Sequence, residues 1–481
     1  MQYPSMDSVF GPEGLLKKGF PAFEYRGEQL ELASEVDRAI FSEGEFILAA
    51  EAPPGVGKTF ALLAPAMLRS SVTGETILFL TASIPLQEQL IMKDLPRLND
   101  LLGLNLSFGL LKGKGNYACL SRALEEYDGN EGHQGFLSHG DEGSSSRTIM
   151  EWLNRTDTGD LSELRLPPES PAVTRIAASS RMCRGFRCPR RNECFVQRVL
   201  KAAKEWRIVV ANYHLFFSYL LAAGKPFPIH YDVLICDEAH RLSEAARSSM
   251  TVSSFDDDMA RLLRGRAFTE ALGEIERAGK DARAALDLST EIREESARFF
   301  ELLEVLLPGR KEIITTRNEE LFQRQKALSG KITELVGFLE PFLTGDTVLD
   351  GVDDGGLPAW IEECRRAERS LAWCAEVAEY PLWAYWKSER SLHSSPVSPG
   401  EELAGVLFSS PAKKMVFISA TLTIGGRLDY WLRETGIRED HLFVCGSPFD
   451  LEEQMEIVVV DTGLDVRSPG YDDTVCRVVE K

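Results

Sequence analysis

No apolar run in the 481 residues approaches the ~20 needed to cross a bilayer as a helix. The opening stretch, MQYPSMDSVFGPEGLLKKGF, lacks the basic, apolar and small-residue order of a secretory leader. A bacterial cytoplasmic, nucleoid-associated protein with no membrane partner is the expectation. Positive charge is short: 54 Lys and Arg face 74 Asp and Glu, a net charge of −20. That argues against indiscriminate coating of nucleic acid but allows a local basic track. The nine cysteines are an odd number in a chain without an export signal. Disulfides are therefore not expected, and clustered thiols point to metal. CxxC pairs and internal repeats are both absent.

Against those absences, 44% hydrophobic and 27% charged residues are ordinary for globular domains, and the length predicts two to four of them. Buried strands are predicted at 46–50, 76–80, 208–211, 233–236, 415–418 and 455–460. They alternate with helical patterns, so a parallel α/β sheet is expected. Residues 127–147 are rich in Gly, Ser and acid and read as a surface loop, with His133 and His139 solvated. From about Arg247 to His393 the pattern turns helical. Leu288, Ile292, Phe299, Leu303 and Leu306 share one face, and Leu321, Leu328, Ile332, Leu335 and Leu339 share another. Gly/Pro/Asp-rich residues 345–358 separate these from a third helix around residues 360–378. Its Cys364 and Cys374 are expected to pack.

The stretch EAPPGVGKTF (51–60) sits between the first strand and a helix, the setting a phosphate-binding loop requires. Gly55 and Gly57 let backbone N–H groups crowd a phosphate, and the helix N-terminus adds its own. Lys58 reaches the β- and γ-phosphates, and the Thr59 hydroxyl can ligate Mg²⁺. The position usually held by the first glycine is Ala52. Upstream, Arg26 and Gln29 open a helix, and a glutamine there can read donor and acceptor edges of adenine; a solvated helix start is the plainer reading. Asp237-Glu238-Ala239-His240 follows the fourth strand. Asp237 suits Mg²⁺, usually through water, and Glu238 suits a general base on the attacking water. TASIPLQEQLIMKDLP (81–96) offers hydroxyls and a helix that suit a nucleic-acid backbone, or a plain strand-to-helix corner.

Cys119, Cys183, Cys188 and Cys194 are separated by 63, four and five residues. Four thiolates fit either tetrahedral Zn²⁺ or an iron–sulfur cluster, and the spacing does not choose. Between Arg181 and Arg207 stand nine Lys or Arg against two Glu, with Phe186, Phe195 and Trp206 interleaved. Positive charge that tracks phosphates and rings that stack bases would make a single-strand site; a solvated helix face is the alternative.

The phosphate loop, LQEQL, KGKGNYAC (112–119), the cysteine spacing, VVANYHLF (209–216), DEAH, SATL (419–422) and GSPFD (446–450) occur in the order seen in the XPD/DinG family of iron–sulfur superfamily 2 DNA helicases. The sequence resembles that family from about residue 10 to 475, the DinG and YoaA branch most closely. The resemblance implies a RecA-like P-loop motor domain split into 1–115, 206–245 and 401–445. An iron–sulfur domain would occupy 116–205, a helical Arch domain 246–400, and the start of a second motor domain 446–481. It implies ATP, Mg²⁺ and a [4Fe-4S] cluster on Cys119, Cys183, Cys188 and Cys194. It also implies Lys58, Thr59, Asp237 and Glu238 at ATP–Mg²⁺, Arg26 and Gln29 at the adenine side, and His240 with Thr421 coupling hydrolysis to DNA grip. The implied activity is ATP-driven 5′→3′ movement on single-stranded DNA and on forks, D-loops or R-loops, in repair or replication. One departure stands out: no QxxGRxxR-like segment occurs in the sequence. Losing an arginine finger costs roughly 10³–10⁵ in rate in related phosphoryl transfer. A fragment, or a partner chain supplying the second motor domain, is therefore expected. The rival expectation is an ATP- and DNA-binding module that does not translocate.

Overall fold

The computed structural model describes residues 4–20, 22–82, 84–128, 142–167, 170–179, 183, 185, 188–277, 279, 281–342, 357–377, 382–454, 456 and 458–479. The strands are β1 (Phe46–Glu51), β2 (Ile77–Thr81), β3 (Phe108–Leu110), β4 (Ile208–Asn212), β5 (Val233–Asp237), β6 (Val252–Phe255), β7 (Lys311–Ile314), β8 (Trp383–Ser388), β9 (Ser391–Pro396), β10 (Lys414–Ser419) and β11 (His441–Val444). Seven of them form one parallel sheet in the order β11-β1-β10-β5-β2-β4-β3.

Period two along each central strand explains why both faces are covered. Leu48, Ala50, Ile77, Phe79, Val233, Ile235, Val416 and Ile418 point into one core, under helices Gly27–Phe41 and Lys58–Thr73. Ala49, Leu78, Leu80, Leu234, Cys236, Met415 and Phe417 point into the other, with helices Tyr213–Phe217, Leu242–Met250, Gly400–Phe408 and Asp429–Thr435. Strands buried on both faces read as unbroken apolar runs, as these do. The chain is thus an α/β domain of the RecA-like, P-loop class.

Two lobes interrupt the sheet. Between β3 and β4, helices Leu120–Asp128, Glu142–Leu153, Pro171–Ile176 and Phe195–Ala203 gather around Tyr117, Ile149, Ile176 and Phe195. Between β5 and β10, helices Arg283–Leu306, Glu319–Leu339 and Leu357–Ala375 pack through Ile292, Phe299, Leu328, Leu335 and Trp360. Cys364 and Cys374 are buried in that core, and burial pushes the Cys374 thiol up to about 12.

The second lobe is not purely helical, as the periodicity suggested. It carries an antiparallel sheet in the order β6-β9-β8-β7. Its strands are short, and polar residues such as Ser391, His393 and Ser394 interrupt their alternation. Two further expectations need correction. Glu142–Leu153 is helical, so the expected loop does not extend to residue 147. Residues 127 and 128 end the helix Leu120–Asp128, and residues 129–141 with most of 345–358 lie outside the described residues. A strand over 455–460 is absent at the described residues 456 and 458–460, where Val458 and Val459 are exposed. Apolar sequence becomes a strand only beside a partner strand.

Candidate nucleotide site

The parallel register aligns the carboxyl ends of three strands. Glu51 of β1 stands opposite Ser419 of β10, and Ile418 stands opposite Asp237 of β5. Ligands in open α/β sheets bind outside such ends. The loop after β1 turns on two glycines in left-handed conformation, Gly55 (φ +89) and Gly57 (φ +86). A Cβ on Gly57 would lie 2.2 Å from Gln29 Nε2, and one on Gly55 would lie 2.3 Å from the Phe449 ring. Only glycine serves at both places. Gly57 caps the helix Lys58–Thr73, whose first N–H groups and positive dipole end face the loop.

The expected adenine-side residues lie against this loop. The Arg26 guanidinium donates to Gly55 O, and Gln29 Nε2 donates to Gly57 O at 3.0 Å. Lys58 folds back to donate to Ala52 O at 3.1 Å. Thr59 and Phe60 continue around a cavity of about 380 Å³ that Phe23, Arg26, Gln29 and Gly57 also line.

Across the strand ends, Asp237 is buried and Glu238 half-exposed. Burial first, and the Glu238 charge second, push the Asp237 carboxyl up to about 6; the Glu238 N–H at 2.9 Å and the Lys58 ammonium pull it back. Glu238 adopts a left-handed backbone (φ 57), an uncommon state for a side-chain-bearing residue that concentrates at functional sites. Tyr213 holds the turn from below, its hydroxyl donating to Asp237 O at 2.7 Å.

His240 Nδ1 stands 2.7 Å from Ser419 Oγ and 3.3 Å from Glu238 Oε2. Thr421, the expected partner of His240, is exposed, and it meets the same serine only through its N–H at 3.2 Å. Glu51 receives the next two residues: Leu422 N–H at 2.7 Å and the Thr423 hydroxyl at 2.9 Å, with the Thr423 N–H as a third donor. The phosphate loop, the DEAH turn and the SATL turn are thereby one hydrogen-bonded unit. Sequence reasoning assigned no role to Glu51, Ser419, Tyr213 or Phe449. Glu51 and Ser419 did carry a signal, since each ends an apolar strand beside a recognised motif.

The cysteine lobe gathers its thiols without closing a site. Cys119 follows two bridge pairs, Tyr117 with Asp160 and Ala118 with Ala177, and its N–H donates to Ile176 O at 2.7 Å. Burial raises its thiol, and the nearby Cys194 and Cys183 raise it further. Cys194 caps helix Phe195–Ala203, and Cys188 Sγ stands 3.3 Å from Ser121 Oγ. All four are free thiols. Among the described residues no group of three His, Cys, Asp or Glu is drawn tightly enough to hold a metal ion. The donor set nevertheless suits a thiolate-bound group.

The two described rings of the basic track, Phe195 and Trp206, are packed against glycines and do not present the expected stacking faces. Phe195 is buried, where a Cβ on Gly159 would strike its ring at 2.2 Å, and Arg198 lies over it at 5.2 Å. Trp206 packs on Gly109, where a Cβ would meet it at 2.4 Å. Phe186, with Arg181, Arg184 and Arg187, lies outside the described residues. Arg190, Arg198, Lys201, Lys204 and Arg207 are exposed, so the charge of the track persists where the stacking does not.

A parallel sheet with a glycine-bent loop facing an acidic strand end is the architecture of the P-loop fold class. No protein-family profile matches the chain. Its sequence is similar to proteins named YoaA and DinG. It is 28% identical over 466 residues to the ATP-dependent DNA helicase YoaA of Haemophilus influenzae, covering 94% of this chain and 68% of that protein. It is 28% identical over 484 residues to YoaA of Escherichia coli, covering 97% and 70%. To the protein named 3′-5′ exonuclease DinG of Bacillus subtilis it is 23% identical over 517 residues, covering 98% of this chain and 54% of that one. These relatives are enzymes. Among solved structures an XPD helicase aligns with a TM-score of 0.43 and 14% identity, covering 88% of this chain and 62% of that one. Among the described residues no helix is long and apolar enough to cross a membrane.

Proposed function

We propose that the chain carries the ATP-binding motor of a DNA helicase of the DinG/YoaA type. The observation that supports it most is the hydrogen-bonded unit of Glu51, Ser419, His240 and Glu238, which brings the phosphate loop within reach of the acidic strand end. In this reading Gly55, Gly57 and Lys58 hold the triphosphate, and Thr59 and Asp237 hold Mg²⁺. Glu238 orients and deprotonates the attacking water, and Arg26 and Gln29 border the adenine. His240 and Thr421 couple hydrolysis to DNA, with Ser419 between them.

Residues 116–205 form the cluster lobe, where Cys119, Cys183, Cys188 and Cys194 hold [4Fe-4S]. The group would supply a rigid cross-link among segments far apart in sequence. Residues 246–400 form the Arch lobe, and residues 1–115, 206–245 and 401–445 the motor. Residues 446–481 belong to the start of a second motor domain. Movement is 5′→3′ on single-stranded DNA, with forks, D-loops or R-loops as substrates. Repair or replication in the bacterial cytoplasm, near the nucleoid, is the role.

The test is ATP turnover with and without single-stranded DNA, beside nucleotide binding, in the wild type and Lys58→Ala. DNA-stimulated turnover that Lys58→Ala abolishes supports the motor. ATP and DNA binding without turnover reduces the reading to a binding module, and no affinity for ATP overturns both.

A further inference from the structure

The cavity beside the phosphate loop has a second wall that the motifs do not announce. Besides Arg26, Gln29 and Thr59 it is lined by Gln89 and Asp94, with the exposed Glu24 at its edge. Gln89 ends the helix Ile84–Gln89, and Asp94 ends the following π-turn, Leu90–Asp94. Wide turns of this kind interrupt α-helices mostly at functional places. The π-turn presents Asp94 at the cavity while Leu90 and Leu95 stay in the sheet core. Asp94 is only 6% exposed, and Gln89 Nε2 donates to its Oδ2 at 2.9 Å. No cation is paired with it within salt-bridge distance among the described residues, and burial raises its carboxyl above the ordinary range. A carboxylate offers about four lone-pair positions, and the glutamine takes one.

We infer that Asp94, oriented by Gln89, is the residue that selects the base of the bound nucleotide, accepting a hydrogen bond from an exocyclic amine. The inference rests on the nucleotide-site reading above and deepens it. An acceptor-only group rewards the 6-amino group of adenine and opposes the 6-oxo group of guanine or hypoxanthine, which is itself an acceptor. Gln29 spends an amide N–H on Gly57 O, which turns its Oε1 to the same task as a second, uncharged and weaker acceptor. Gln89 fixes the direction in which the carboxylate faces.

Equilibrium binding of ATP, inosine triphosphate, GTP and purine riboside triphosphate, the last without a 6-substituent, tests the inference on the whole chain. The wild type should bind ATP about tenfold or more tightly than the other three, the effect of one hydrogen bond to a charged group. Asp94→Asn, which places an amide donor at the same spot, should lose that preference and gain affinity for inosine triphosphate and GTP. A thermal melt of the variant checks its fold, and the wild-type series needs no variant. Equal wild-type affinity for ATP and inosine triphosphate overturns the inference, as does unchanged discrimination in a folded Asp94→Asn. In either case ATP binding that Lys58→Ala removes leaves the nucleotide-site reading intact. No binding of any triphosphate removes that reading itself.

Discussion

His240 and Ser419 are 179 positions apart in the chain and 2.7 Å apart in space. The contact joins the turn after β5 to the end of β10, so movement at the acidic pair reaches the SATL turn through one hydroxyl. Ser419→Ala removes it and also strips the Thr421 N–H of its acceptor. Nucleotide affinity should stay within about twofold while DNA-stimulated turnover falls about tenfold, the value of one such bond. Binding titrations beside ATPase assays measure the split. An equal loss in both would assign the serine to binding, not to coupling.

Glu51 takes three donors from residues 422 and 423 with two oxygens. Glu51→Gln keeps the shape but turns an amide donor toward other donors. The cost should be about 1–3 kcal/mol, that of leaving partly buried groups unpaired. A lower urea midpoint at unchanged slope would register it. An unmoved midpoint would mean that water replaces the carboxylate at no cost.

Two glycines with similar backbone give an internal control. Gly57 (φ +86) has Gln29 against it, whereas at Gly44 (φ +70) an added Cβ would meet nothing within 4 Å. Gly44→Ala should cost only the left-handed strain, about 1–2 kcal/mol, and leave ATP binding alone. Gly57→Ala should cost more and abolish nucleotide binding. Isothermal titration of the two proteins separates strain from collision.

The thiol lobe makes a prediction about metal. Protein purified without oxygen should contain iron and sulfide but little zinc, by elemental analysis. Cys188→Ser should release the iron and make the lobe sensitive to protease, because metal binding and local folding share one free energy. A stoichiometric zinc content would show that the donor set holds a different group.

Glu75 accepts from Arg69 Nε at 2.5 Å and Nη2 at 2.8 Å. The hydrogen bond from Arg69 is the largest cause holding its carboxyl below the ordinary range. A depressed folded value means that the native state sheds the proton more readily than the unfolded chain. The contribution is therefore full above roughly pH 5, past the unfolded carboxylate value. It is lost as the pH falls through the lower folded value. The stability gap between wild type and Glu75→Gln, from melts at pH 7 down to 3, should narrow with acid. A gap that widens would reverse the sign.

How much of this could be read in advance follows physical lines. The central strands were legible because burial on both faces leaves an apolar run, as in Leu234-Ile235-Cys236. The glycine bend after β1 and the DEAH turn after β5 were legible because each follows directly on an apolar strand. Two edge strands were not: β3 is three residues around Gly109, and β11 is half-exposed, so neither shows a pattern. Nor were the roles of Phe195 and Trp206, since a ring next to a basic residue looks alike whether it faces a base or a glycine. Ser419 shows the same gap on a smaller scale. Its strand was evident, but the choice of Ser419 over Thr421 as the partner of His240 depends on which side chain points inward at the strand end.

β1, the strand that carries the phosphate loop, lies between β10 and β11, and its Glu51 meets Leu422 across 371 positions of chain. During synthesis this strand therefore waits beside no permanent neighbour until nearly the whole described chain has left the ribosome. Ordering so distant a pair costs loop-closure entropy before any contact repays it. The two inserted lobes, built from contacts close in sequence, can form in the meantime. The loop bent on Gly55 and Gly57 is thus among the last pieces to set, and a polypeptide halted before β10 carries the whole GKT motif with no finished sheet to hold it.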